Sequence, residues 1–264
     1  MPAIILLRTF LRPGYELFYT QTFDLAVAHL RLLTLSAPRE DPTMPLPPLS
    51  QALMVIFKEA FPLARRQNKD SPQSLDATGV HLDYAYLRTA DLEQVWIPQA
   101  SLRKADLVGA RLMRAELSEA NLSAAMLVRA DLREARLIMA DLSGAILLRA
   151  DLRGAVLREA DLSGATFREA HLGETHLEEA LSLKGTDLRE VKGLTKEQKA
   201  TCQARGAIVD EDSTTNTSQS TVIPASSSPS NDVQAQSALP APDHPPSAAS
   251  DESATTSSPP DAEP

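Results

Sequence analysis

Between positions 80 and 179 apolar residues return at every fifth place, and that periodicity organises the chain. With the central residue of each repeat written as i, positions 82, 87, 92 and onward to 177 give 20 consecutive repeats without an insertion. Eighteen of these residues are Leu, the exceptions being Ile97 and Phe167. Two places earlier 17 of 20 are Ala, the exceptions being Val80, Val95 and Thr175. The residue between them is polar or variable, most often Asp, as in Ala90-Asp91-Leu92 and Ala130-Asp131-Leu132. A period of five matches neither the 3.6 of a helix nor the 2 of a half-buried strand. On an α-helix each step of five residues would turn the Leu by about 140°, so no apolar stripe would form. Self-similarity at a fixed period is the mark of a solenoid.

The flanks read differently. From Glu16 to Leu35 the residues Phe23, Val27, Leu30 and Thr34, with Leu33 beside them, fit one face of an amphipathic helix. The opening run Ala3 to Leu7 is too short for the apolar core of a signal peptide, and no secretion is expected from it. A linker with Pro38, Pro42, Pro45, Pro47 and Pro48 leads to a second helix, about Leu49 to Phe61, which Pro62 is expected to end. Its apolar positions Leu53, Ile56, Phe57 and Ala60 must pack on something, and the open end of the solenoid is the natural place. After Leu177 the five-residue register slips. Thr195 and Gln198 then make a capping-box pattern, and Gly206 is placed to end a short helix. The expected organisation is an apolar helical segment 1–45, a capping helix and lead-in 46–79, the repeat 80–190, a C-terminal capping helix 191–210 and a tail 211–264.

The spacing Ala-(Asp/Asn)-Leu-x-x over residues 80–179 resembles the pentapeptide-repeat proteins. That resemblance implies an all-β solenoid, a right-handed quadrilateral β-helix in which four repeats make one square coil. Twenty repeats would give about five coils, a rod of roughly 24 Å. In such a coil i points inward at the middle of each side and i−2 near each corner, where a small side chain is needed. Positions i−1, i+1 and i+2 then face outward, and residues 20 apart stack on one face.

Charge changes the picture only at the end of the chain. All 26 Lys and Arg lie at or before Arg205, and the net charge of −9 belongs to the nine acidic residues from Asp210 to Glu263. A neutral body with an acidic tail weakens a nucleic-acid-binding reading, which wants a basic surplus. The tail has no aromatic residue, no Lys or Arg and nine prolines, a composition expected to be disordered. The single cysteine, Cys202, excludes an intramolecular disulfide and is expected to fill a small buried place in the capping helix. No motif for a nucleotide, a metal or a nucleophilic serine is present, and no enzyme, cofactor, metal or small-molecule substrate is expected. His171 and His176 fall on adjacent, diverging faces, which argues against a shared metal.

One face departs from the polar norm. Val108, Val128 and Leu148 share one outward column, with Met126 and Ile146 beside them and Arg129 and Arg149 along the edge. An apolar patch rimmed by charge is a partner-interface signal. These seven residues are the candidate protein interface, and the expected function is a non-enzymatic protein–protein interaction scaffold, self-association included. The cover of this face by residues 1–70 is the structural alternative. Trp96 is expected to pack against the N-terminal lid. Two other functions follow from the family resemblance: attachment to a membrane surface through residues 1–35, and mimicry of DNA in protecting gyrase. The mixed signs of residues 80–179, 16 acidic against 12 basic, sit badly with the last. A cytoplasmic location is expected, with the cytoplasmic side of a membrane as the alternative.

Overall fold

The computed structural model describes residues 2–32, 48–68 and 75–210. The proline-rich linker as far as Pro47 and the tail expected to be disordered lie outside the described residues, and Pro48 opens a helix.

From Asp76 onward the backbone winds so that the residue before each i pairs in parallel with the residue 20 places later. One column runs Tyr86, Asp106, Met126, Ile146, Thr166, Asp187, Ile208; the next runs Asp91, Arg111, Asp131, Asp151, His171, Lys192. On this side of the coil successive levels are held by three main-chain bonds: Leu107 N–H donates to Met126 C=O at 2.8 Å, Met126 N–H to Ala105 C=O at 2.9 Å and Gly109 N–H to Val128 C=O at 2.9 Å. Sides are joined by tight turns in which, for example, Ala110 N–H donates to Leu107 C=O at 3.0 Å. Within the 20 repeats every i and i−2 residue is buried. The stacking also extends beyond the unbroken repeats at both ends. At the first end Leu75 and Ala77 are both fully buried in exchanged positions, large at the corner and small at the centre. At the other end a 3-10 turn, Leu177–Glu179, takes up one extra residue, so Asp161 pairs with Ser182 and Thr166 with Asp187.

Threonine occupies two of the late corners without leaving a polar atom stranded. The buried hydroxyls of Thr175 and Thr186 donate to Leu172 C=O and Leu162 C=O at 2.6 and 2.7 Å. That satisfies the rule that a buried hydroxyl must find a partner.

The second central residue of each turn sits at positive φ. Gly79, Gly109, Gly144, Gly154 and Gly164 occupy it, but so do non-glycine residues such as Ala124 (φ 54), Arg129 (φ 57) and Glu134 (φ 57). A left-handed conformation costs an L-residue about 1–2 kcal/mol, partly offset by the greater unfolded-state freedom of Gly. Ala124 is exposed, so its methyl group contributes little packing. Ala124→Gly is therefore expected to stabilise the protein by about 0.5–1 kcal/mol, read as a higher urea midpoint at unchanged m-value.

Among the described residues three α-helices precede the coil: α1 (Pro2–Thr9), α2 (Tyr19–Leu32) and α3 (Pro48–Gln67). Phe23 of α2 meets Phe57 and Phe61 of α3 at ring-centroid distances of 5.4 and 5.7 Å. Asn68, just beyond α3, donates to the Thr20 hydroxyl near the start of α2 at 3.0 Å, which makes the pair antiparallel. Pro62 does not end α3, contrary to the sequence expectation. Interior proline costs about 3 kcal/mol, and here the turn after it is held by the buried Ala64 and by Arg65. The Arg65 guanidinium reaches the coil, donating to Glu93 C=O at 2.5 Å and to the Asp91 carboxylate at 3.0 Å. Lys58 donates to Arg88 C=O at 2.6 Å, and Arg31 of α2 donates to Thr78 C=O at 2.8 Å. These contacts seat the helix pair on the first turns of the coil, and one continuous apolar core runs from the helices into it.

After the coil, α4 (Lys196–Ala204) begins with a reciprocal capping box between Thr195 and Gln198. Gly206 follows its end at φ 94. Cys202 is fully buried, and that burial, with Glu178 nearby, pushes its thiol pKa above the ordinary value. Arg205 donates to Glu178 C=O at 2.7 Å and to Ala180 C=O at 2.5 Å, closing over the 3-10 turn. Nothing in the repeat pattern pointed to that clamp.

Candidate protein-interaction face

The structure supplies a reason for the Asp that recurs before Leu. In each repeat from Leu102 to Leu152 the N–H groups of i−1, i and i+2 are taken up by neighbouring coils, which leaves the N–H of i+1 over. A short acceptor at i−1 reaches it: Asp141 accepts from Ser143 N–H at 2.9 Å, Asn121 from Ser123 N–H at 3.0 Å and Asp161 from Ser163 N–H at 2.9 Å. These are Asx turns, which explains the column of carboxylates without catalysis or a metal. Where i−1 is Trp96, the i+1 residue is Pro98, which has no N–H to satisfy. Trp96 itself is half-buried and bridges between Asp76 and Glu116.

On the neighbouring face the same carboxylates also bind arginine. Asp131 holds the Arg133 guanidinium at 2.8 and 2.7 Å, and Asp151 holds Arg153 at 2.9 and 2.7 Å. These bidentate bonds keep both carboxyl groups below the usual Asp range. Ion pairs between coils join residues 20 apart, as in Arg149–Glu169 at 2.7 Å and Arg114–Glu134 at 2.8 Å. Most of the arginines around the candidate face are thus already engaged.

The seven residues singled out from the sequence come together on one face. Met126 and Ile146 are bridge partners on adjacent coils and are 39% and 41% exposed. Val108, Val128 and Leu148 are half-buried and stacked, since Gly109 N–H donates to Val128 C=O and Arg129 N–H to Leu148 C=O, both at 2.9 Å. Arg88 and Arg168 stand at the two ends of that column. Arg129 has no ion-pair partner among the described residues, whereas Arg149 is tied to Glu169. Met126 and Ile146 have no oxygen to offer, so the N–H groups of Val128 and Leu148 find no acceptor among the described residues. Val108 N–H, one coil earlier, bonds Asp106 at 3.3 Å. The face therefore combines five apolar side chains, two unclaimed main-chain donors and one unpaired cation.

His171 and His176 do not assemble a metal site; no cluster able to hold a metal ion occurs among the described residues. His176 instead lies 3.2 Å from the Glu178 carboxylate.

Comparison with known proteins bears on the repeat. The family model for pentapeptide repeats (8 copies) matches residues 98–133, 115–154, 135–173 and 155–192. No curated protein matches the chain. Among solved structures, the pentapeptide repeat protein Rfr23 from the cyanobacterium Cyanothece 51142 is 27% identical over 48% of this chain and 98% of its own, with a TM-score of 0.37. A pentapeptide repeat protein of the Arabidopsis thaliana thylakoid lumen is 23% identical over 49% of this chain and 88% of its own, at 0.31. QnrB1, a plasmid-mediated fluoroquinolone resistance protein, is 28% identical over 48% of this chain and 63% of its own, at 0.32. Through its five-residue coil the chain belongs to the pentapeptide repeat family, whose fold is the right-handed β-helix.

Proposed function

We propose that this protein is a non-enzymatic interaction scaffold and that the face carrying Val108, Met126, Val128, Arg129, Ile146, Leu148 and Arg149 docks a protein partner or a second copy of the chain. The observation that carries the reading is the exchange of the usual Asp for Met126 and Ile146 on adjacent coils. That exchange gives up two turn-closing hydrogen bonds, each worth roughly 0.5–1.5 kcal/mol, and exposes apolar surface instead. A partner reverses both losses if it covers the patch and presents carbonyl or carboxylate oxygens to Val128 and Leu148.

The test uses the full chain and the double variant Val128→Glu with Ile146→Lys. Both side chains are at least partly exposed, so the variant is expected to keep the wild-type thermal midpoint. Light scattering with size-exclusion chromatography, together with a photo-crosslinking residue at position 108, reads association. The expected result is a wild-type self-association or a defined crosslinked partner, lost in the double variant. Identical oligomeric state and identical crosslinks in the two proteins would remove this face from the reading.

A further inference from the structure

The densest exposure of apolar side chains in the described molecule is away from the coil, at the N-terminal tip. Leu17 is 83% exposed, Ile5 70%, Leu6 59%, Phe18 46% and Tyr15 40%, all within 14 residues. They stand on α1 and on the tight turn that joins it to α2. The turn is rigidly built: Tyr15 N–H donates to Arg12 C=O at 3.2 Å, and Phe18 N–H to Tyr15 C=O at 2.9 Å. Beneath it Phe10 packs against the Tyr15 and Phe18 rings at 5.8 and 5.2 Å. Gln67 of α3 donates to Glu16 C=O from below. The main chain here is satisfied from within, while the side chains project.

Charge at the tip is selective. Arg8 is paired with Glu59 through bonds of 2.8 and 2.5 Å. Glu16 turns its carboxylate back onto Gly14 N–H at 2.8 Å. Arg12 is exposed and has no ion-pair partner among the described residues. It borders an open cleft of about 620 Å³ that Ile5, Arg8, Glu59 and Leu63 also line. Leu, Ile, Phe and Tyr side chains that project this far into solvent suit a soft apolar phase better than the fitted surface of a folded partner, which requires complementary shape. Tyr and Phe beside Arg are the side chains that settle at the boundary between headgroups and acyl chains. No helix among the described residues is long and apolar enough to cross a membrane, so contact would be in the plane of the surface.

We propose that the tip formed by Ile5, Leu6, Tyr15, Leu17 and Phe18 inserts into the interfacial layer of an anionic lipid bilayer, with Arg12 and its cleft receiving a lipid phosphate. Leu17 supplies the deepest apolar contact, and Arg12 gives the preference for negative headgroups. This surface is separate from the coil face and acts whether or not that face binds a protein.

Flotation of the full chain with vesicles tests it, using phosphatidylcholine alone or with about one third phosphatidylglycerol. The wild type is expected to float with the anionic vesicles and about fivefold less with the neutral ones. Leu17→Asp is expected to lower anionic binding tenfold or more, because a projecting Leu is replaced by a charge. Arg12→Gln is expected to lower it several-fold and to leave the weak neutral binding alone. Leu17→Trp with brominated lipids gives a second reading, with quenching expected beyond the Trp96 background. Absence of flotation, equal binding to both vesicles, or Leu17→Asp floating like the wild type would each overturn the proposal. Both side chains are exposed, and an unchanged thermal midpoint shows that a loss of binding is not a loss of fold.

Discussion

Leu127→Ala is expected to destabilise the protein by about 3–5 kcal/mol, near the upper end of the range for large-to-small changes in a core. Leu127 is fully buried, and the Leu residues 20 places before and after it, Leu107 and Leu147, are buried with it. The cost is high where the surroundings cannot relax into the cavity. Here the perimeter of the coil is fixed by main-chain bonds, Leu127 N–H to Ile146 C=O at 2.8 Å and Ala130 N–H to Leu127 C=O at 3.0 Å, so the walls cannot move inward without breaking them. Each coil also leans only on its neighbours, so the damage is not shared with a wider core. Urea denaturation followed by circular dichroism reads the change. A loss below about 1.5 kcal/mol would mean that the interior is not close-packed.

Gly193→Ala is expected to be the most damaging of the glycine substitutions, by about 3 kcal/mol or more, while Gly164→Ala costs about 1 kcal/mol. The two share a positive φ, +90 and +65, so conformational preference alone does not separate them. Space does. A Cβ at Gly164 meets nothing within 4 Å, whereas one at Gly193 would lie 2.5 Å from the Gly173 nitrogen and 2.7 Å from its Cα. Both are main-chain atoms and cannot swing away, so the chain leading into α4 must lift. The readout is the Cys202 thiol, buried and with a raised pKa in the intact protein. Labelling of that thiol is expected to speed up at least tenfold in Gly193→Ala and to stay near wild type in Gly164→Ala. Equal labelling in both variants would detach α4 from the packing of Gly173 on Gly193.

The unbroken repeat was legible because its signal is redundant: 20 copies of one local rule point to one winding. The departures were not, and each has a physical cause. Leu75 and Ala77 exchange large and small and so fall outside the pattern, though both are buried in the stack. The added residue near Leu181 hides the resumption of the period at Leu183. Pro62 argued for a helix end because local propensity says nothing about Arg65 bonding to a coil nearly 30 residues away. Glycine at positions 79, 109, 144, 154 and 164 did carry the clue to the positive φ at i+2. For the candidate face, the 20-residue stacking rule brought the apolar side chains together and could also have paired Arg149 with Glu169. What it could not convey was which main-chain donors would be left over, since that depends on the bonding of a whole coil.

Four repeats per coil also make this fold an angular spacer. Inserting or deleting one pentapeptide between the helix pair and the candidate face would keep every corner and centre filled, yet turn everything beyond it by a quarter turn. Adding four would lengthen the rod by about 5 Å with no rotation. The direction in which Met126 and Ile146 point relative to α2 and α3 can therefore be reset in right-angle steps with the same interior chemistry. Few scaffolds let two surfaces be re-aimed against each other by so small an edit of the chain.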